Sequence, residues 1–199
     1  MRFDEVFQKW LENAPIIFIS TLTAIYGLKT ANRWRSEYVG KRKAILAEEI
    51  LLAALEFENA LQTTRSPFVL TEEITDVTCN SPQSVRRVTI YLLKRHKEIF
   101  TDHFLRLKKK YLISYVYFDD KIHHSLRALL SIENDFTILR NEMQRAAQSY
   151  INNPEPKKLE QFTSTMNKYL ETDDSDLVTS KTVSAIKDLK TKLTRHLSE

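Results

Sequence analysis

APIIFISTLTAIYGL, residues 14–28, decides how this chain is read. The stretch carries no charge, and between Trp10 and Leu28 the one charged residue is Glu12. A window of that size approaches the roughly 20 residues a helix needs to cross about 30 Å of hydrocarbon. Pro15 stands in the first turn of the uncharged run, where its missing N–H breaks no helical hydrogen bond. Trp10 and Trp34 bracket the segment as interfacial aromatics do. The competing assignment is a buried core helix, since the run is short and holds Ser20, Thr21 and Thr23. Apolar character all round, rather than along one stripe, favours the membrane.

Basic residues set the orientation. Arg2 and Lys9 precede the run, whereas Lys29, Arg33, Arg35, Lys41, Arg42 and Lys43 follow it, so the C-terminal side is expected in the cytoplasm. Asp4, Glu5 and Glu12 on the N-terminal side, and Tyr26-Gly27-Leu28 at the end of the run, do not fit a cleaved signal peptide. The expectation is an uncleaved, single-pass anchor of the cell inner membrane: residues 1–9 outside the cytoplasm, 10–29 as the anchor, 30–199 as a cytoplasmic domain. Ser20, Thr23, Ala24 and Gly27 form a small-residue face suited to close helix contact and a homo-oligomer, with Phe18, Leu22 and Ile25 on the far side.

Outward from the anchor, the composition points to helices. Two glycines and five prolines in 199 residues are too few for a fold of many hairpins. A hydrophobic fraction of 42% with 28% charged residues suits a folded domain rather than a disordered tail. The single cysteine, Cys79, excludes an intramolecular disulfide and any multi-cysteine metal site.

Apart from Gly40, no helix breaker interrupts Leu28 to Ser66, and Leu46, Ile50, Ala53, Phe57, Ala60 and Leu61 supply an apolar stripe. Pro67 biases Ser66 away from helical geometry and should stop this helix near Arg65. Residues 67–82 are polar and turn-rich, which predicts a loop. A second helix starting at Ser81 or Gln83 carries Val85, Val88, Leu92, Leu93, Ile99, Phe100, Phe104 and Leu107, and Tyr111 to Phe118, which fits helix or strand by period alone, is read as helix because strands are lacking elsewhere. Asp119 or Asp120 caps a third, with Ile122, Leu126, Leu129, Phe136, Met143, Ala147 and Tyr150 on one face. Asn152 to Pro156 ends it. Leu159, Phe162, Met166 and Leu170 mark a fourth. After Asp173-Asp174-Ser175-Asp176, a fifth carries Val183, Ile186, Leu189, Leu193 and Leu197. The predicted architecture is all-α: one transmembrane helix continuing into an antiparallel bundle of four or five helices.

Trp34-Arg35-Ser36-Glu37, the stretch GKRKAILAEEILLAALEFENALQTTRSPF from Gly40 to Phe68, and YLLKRHKEIFTDHFLRLKKKYLISYVYFDD from Tyr91 to Asp120 carry a likeness. Over about half its length the chain resembles a widespread group of uncharacterised bacterial proteins, in which a short membrane anchor leads into a long helix ending in Arg-Ser-Pro-Phe. The resemblance implies the anchor and the helical fold, with no activity attached.

Candidate chemistry is sparse. Asp119, Asp120, His123 and His124 are the one cluster of metal-ligand types, and Asp120 with His124, or Asp119 with His123, lies one helical turn apart. A site needs three or four ligands, His96 and His103 being the remaining candidates nearby, and no motif fixes them. An aspartate cap followed by solvent-facing histidines is the favoured account. Arg86, Arg87, Lys94, Arg95, Lys97, Arg106, Lys108, Lys109 and Lys110 form a basic face that Glu48, Glu49, Glu56 and Glu58 of the first helix can balance. Anionic lipid headgroups are its next candidate partner, ahead of nucleic acid, for which no recognition motif is present. Arg65 is expected to bond carbonyls at a helix end rather than an anion. Neither Ser66 nor Cys79 sits in a nucleophile motif, and no phosphate-cradling glycine loop occurs. The functional expectation is a membrane-anchored interaction or scaffold module with a protein partner, no cofactor and no assigned catalysis. The alternatives are a metal-binding protein or enzyme built on Asp120 and His124, and a membrane-perturbing effector.

Overall fold

The computed structural model describes residues 3–66, 79–170 and 176–197, with side chains from Phe18 onward. The expected loop at 67–82 and the acidic break at 173–176 therefore fall mostly outside the described residues, as do the side chains of Trp10, Glu12 and Pro15. Among the described residues the chain is all-helical. The elements are α1 (Phe3–Arg65), α2 (Pro82–Arg95), a π-helical turn (His96–Phe100), α3 (Thr101–Ser114), α4 (Asp120–Asn152), α5 (Pro156–Leu170) and α6 (Leu177–Leu197). Contacts divide the chain into two units, Met1–Ala44 and Ile45–Glu199.

In the first unit α1 is helical through Gly27 and Gly40, neither of which takes a positive φ. Residues 18–42 are exposed along their whole length, including the apolar Phe18, Ile19, Leu22, Ile25 and Leu28. Among the described residues, no helix is long and apolar enough to cross a membrane.

The second unit is an antiparallel bundle. On α1 the expected stripe is buried in full: Leu46, Ile50, Ala53, Phe57, Ala60 and Leu61. Polar ties fix its register against α2 and α3: Glu49 accepts from Lys110 at 2.7 Å, Glu56 lies 3.7 Å from Arg106, and the Thr63 carbonyl accepts from Arg95. Rising numbers on one helix against falling numbers on the other make the pair antiparallel. Asp135 to Lys181 at 2.7 Å and Ser125 to Asp188 at 2.6 Å set α4 against α6 in the same sense. α4 is the central helix and packs on α2, α3, α5 and α6.

Aromatic rings run through the middle. Phe57 of α1 meets Phe100 of the π turn at 5.3 Å, Phe100 meets Phe136 of α4 edge-on at 5.0 Å, and Phe136 stacks on Tyr169 of α5 at 4.9 Å. The π turn has a sequence cause. Leu92, His96, Phe100 and Phe104 recur every four residues, which drifts off one face of a helix with about 3.6 residues per turn. One wide turn, in which the Thr101 N–H bonds the His96 carbonyl, keeps both His96 and Phe100 buried.

Two ends are set by side chains. Ser81 and Ser84 form a reciprocal capping box at the start of α2, with Pro82 in its first turn. Asp119 caps α4 by accepting from the N–H groups of Lys121 and Ile122. Tyr115 to Phe118, expected as helix, instead turn: Val116 and Tyr117 bond back three residues and Phe118 four, which frees Asp119 to take its extended cap geometry. In α6, Val183 and Leu197 are exposed rather than in the core. The buried stripe runs through Val178, Thr182, Ile186, Leu189 and Leu193, with the Thr182 hydroxyl satisfied by the Val178 carbonyl at 2.7 Å, so a threonine takes the place expected of valine.

Candidate functional site

Arg65 ends α1, and its guanidinium is fully buried where three helix termini meet. Nε donates to the Tyr169 carbonyl at 2.9 Å and Nη2 to the Lys168 carbonyl at 3.0 Å, so Arg65 satisfies orphan acceptors at the end of α5. Nη1 donates to Oδ2 of Asp176 and, at 3.4 Å, to the Thr179 hydroxyl. The same Asp176 oxygen accepts from the Thr179 N–H at 2.8 Å, capping α6. Burial alone would push the Asp176 carboxyl up; the Arg65 hydrogen bond, the Thr179 N–H and the Arg65 charge outweigh it and hold the group below the usual carboxylate range. With its donors taken by protein oxygens, Arg65 has the expected structural use, though on the carbonyls of α5 rather than those of its own helix.

Arg95 mirrors this arrangement. Its guanidinium donates to the Thr63 carbonyl and, at 3.1 Å, to the Ser66 carbonyl, closing the end of α1 from α2. Sequence reasoning placed Arg95 on the basic face and missed this role; no spacing marks it, because its partners are backbone atoms about 30 residues away. Below lies His96, buried against Phe100 and Phe136 with Nδ1 3.4 Å from the Tyr169 hydroxyl. Burial, then the Arg140 charge, lowers its pKa to about 4, so this imidazole is neutral at physiological pH. The Tyr169 hydroxyl is pushed up by burial and stays protonated. These groups interlock the helices.

Asp119, Asp120, His123 and His124 stand at the start of α4. Asp119 is the cap, and Asp120 is fully exposed with Oδ1 3.7 Å from Nδ1 of His123. His123 turns inward and stacks on Tyr115 at 4.1 Å, while exposed His124 lines a shallow groove of about 570 Å³ between α4 and α6 with Ser125, Ser184 and Asp188. His103 sits elsewhere, 3.8 Å from Glu56. Among the described residues no three His, Cys, Asp or Glu side chains converge as a metal set. In that groove Lys192 donates to the Ser125 hydroxyl at 2.8 Å and to Asp188 at 2.5 Å, and the bond from Lys192, then the one from the Ser125 hydroxyl, hold the Asp188 carboxyl below its usual range.

The basic face is partly consumed. Arg95 is buried, Lys110 and Arg106 meet Glu49 and Glu56, and Lys94 lies 3.8 Å from Glu98. On the first unit, Ser20, Thr23, Ala24 and Gly27 are exposed, the Thr23 hydroxyl bonds the Ile19 carbonyl at 2.8 Å, and a Cβ added at Gly27 would meet nothing within 4 Å. No protein-family model matches the chain, and neither the curated proteins nor the solved structures give a match.

Proposed function

We propose that this protein is a membrane-anchored helical interaction module, with α1 serving as both tether and first helix of the bundle. The observation that carries the reading is that from Phe18 to Leu28 the helix buries none of its apolar side chains, Phe18, Ile19, Leu22, Ile25 and Leu28 all being exposed, whereas from Leu46 to Leu61 the same helix buries a full stripe and leaves Leu52 and Leu55 outside it. Contiguous exposed apolar surface of this kind calls for lipid or a partner helix. Phe18 to Leu28 extends about 16 Å as a helix and cannot cross the hydrocarbon alone; the proposed span is completed by residues 10–17. The resemblance to the bacterial group with a short anchor and an Arg-Ser-Pro-Phe helix end supports the same reading. So does the excess of cations after Leu28, which orients the bundle toward the cytoplasm.

In the bundle, interlocked side chains at the Arg65 and His96 loci favour a rigid interaction body over a catalytic one. Protease added to intact spheroplasts tests the topology: the proposal expects residues 30–199 to survive and to be digested only after lysis. Digestion in intact spheroplasts would reverse the assignment.

A further inference from the structure

The segment Lys29 to Lys43, KTANRWRSEYVGKRK, holds six cations and one acid, Glu37. Glu37 is bonded to Arg33 at 3.0 Å. Trp34 and Tyr38, one turn apart on one face, are each 72% exposed, far from the burial usual for rings of this size. An amphipathic helix lying flat on a surface separates its cations from its rings. Here Lys29, Arg33, Arg35 and Lys43 surround the helix, and Lys41 and Arg42 flank the aromatic face, so charge is presented on all sides. That pattern suits a helix passing upright through a layer of anionic groups.

We infer that residues 29–38 form a collar for an anionic bilayer leaflet, Trp34 seating at headgroup depth while Lys29, Arg33 and Arg35 engage lipid phosphates and carboxylates. The inference rests on the anchor proposed above and adds the lipid class it selects. Charge complementarity argues for it over α2 and α3, where Arg95, Arg106 and Lys110 already have protein partners. Cations next to a span gain most from the negative potential of a cytoplasmic leaflet, which decays within a Debye length of about 8 Å at physiological salt. Trp34, six residues beyond Leu28, stands about 9 Å from the proposed hydrocarbon boundary along the helix, and aromatic belts occupy the headgroup level.

The test uses the full chain carrying Trp10→Phe, which leaves Trp34 as the only tryptophan. It is reconstituted with vesicles of phosphatidylcholine alone or of equimolar phosphatidylcholine and phosphatidylserine. The collar predicts that Trp34 emission shifts to the blue in the mixed vesicles and is quenched there by acyl-brominated phosphatidylcholine. The shift should vanish near 1 M salt, where the Debye length is about 3 Å, and in the combined variant Lys29→Gln, Arg33→Gln, Arg35→Gln. Identical Trp34 spectra in the two vesicles would overturn it, as would a larger shift on adding RNA than on adding mixed vesicles. Flotation separates the two claims. A chain that floats with both vesicles but shows no lipid-dependent emission keeps its anchor and loses its collar; one that floats only with mixed vesicles, reversibly in salt, binds from outside and loses the anchor together with the collar built on it.

Discussion

Arg65 at the end of α1 donates to Asp176 at the start of α6, and both side chains are buried. Neither charge would be tolerated there alone. The same guanidinium holds the carbonyls of Lys168 and Tyr169, so one residue joins the ends of α1, α5 and α6.

Removing either partner leaves an uncompensated buried charge, which typically costs about 3–5 kcal/mol. Arg65→Ala and Asp176→Ala should each lower the denaturation midpoint accordingly, and Arg65→Lys should fail to rescue, since a lysine cannot serve both carbonyls and the carboxylate in one plane. Glu37→Gln, which breaks the exposed Arg33–Glu37 pair, should move stability by no more than about 0.5 kcal/mol. Comparable effects at the two sites would mean that the clamp is not a stability determinant.

His96 gives the bundle an acid-sensitive element. Its folded pKa, about 4, lies below the ordinary value of 6.5, so the unfolded chain binds a proton more readily. The associated stability is fully present above pH 6.5 and is lost as pH falls from there toward 4, to an extent of at most about 3 kcal/mol. Asp176 adds a separate loss below the usual carboxylate range, as its depressed pKa is approached. Denaturant titrations across this range should show the upper step abolished by His96→Phe and the lower one retained.

Much of the bundle was legible in the sequence. The stripes of α1 and α4 repeat with the helical period, so every residue expected in those two stripes is buried, and Asp119 caps where its position after Phe118 suggests. Val183 misled because a hydrophobic side chain was preferred over Thr182, whose hydroxyl bonds its own helix and so can be buried. The π turn was visible as the four-residue spacing of Leu92, His96, Phe100 and Phe104, a period that helical expectation smooths over. Arg95 left no trace, since burial of a cation depends on backbone carbonyls of another helix. His123 and His124 could not be told apart by spacing; His123 is buried against Tyr115 and His124 is exposed, as Asp120 is.

The aromatic line through the core supplies a packing test. Phe57 is fully buried against Phe100 and Phe104, and Phe57→Ala should cost about 3–5 kcal/mol. Val183→Ala, at an exposed position of α6, should fall within about 0.5 kcal/mol of the parent. Equal losses by chemical denaturation would place Val183 back in the core.

Gly27 permits a clean test of anchor association. A Cβ added there meets nothing within 4 Å in the chain itself, so Gly27→Leu is suited to report on contacts between copies. In a membrane dimerisation reporter this variant should weaken the signal with insertion intact, while Leu22→Ile on the far side changes little. Equal signals for parent and Gly27→Leu would reduce α1 to a tether.

Alkaline carbonate extraction tests the central claim most directly. The full chain should remain in the membrane pellet, and the combined variant Ile19→Arg, Ile25→Arg should pass to the supernatant, since each arginine at mid-helix costs insertion about 2.5–3.5 kcal/mol. Release of the unaltered chain by carbonate would contradict the account and return the apolar face of α1 to a protein partner.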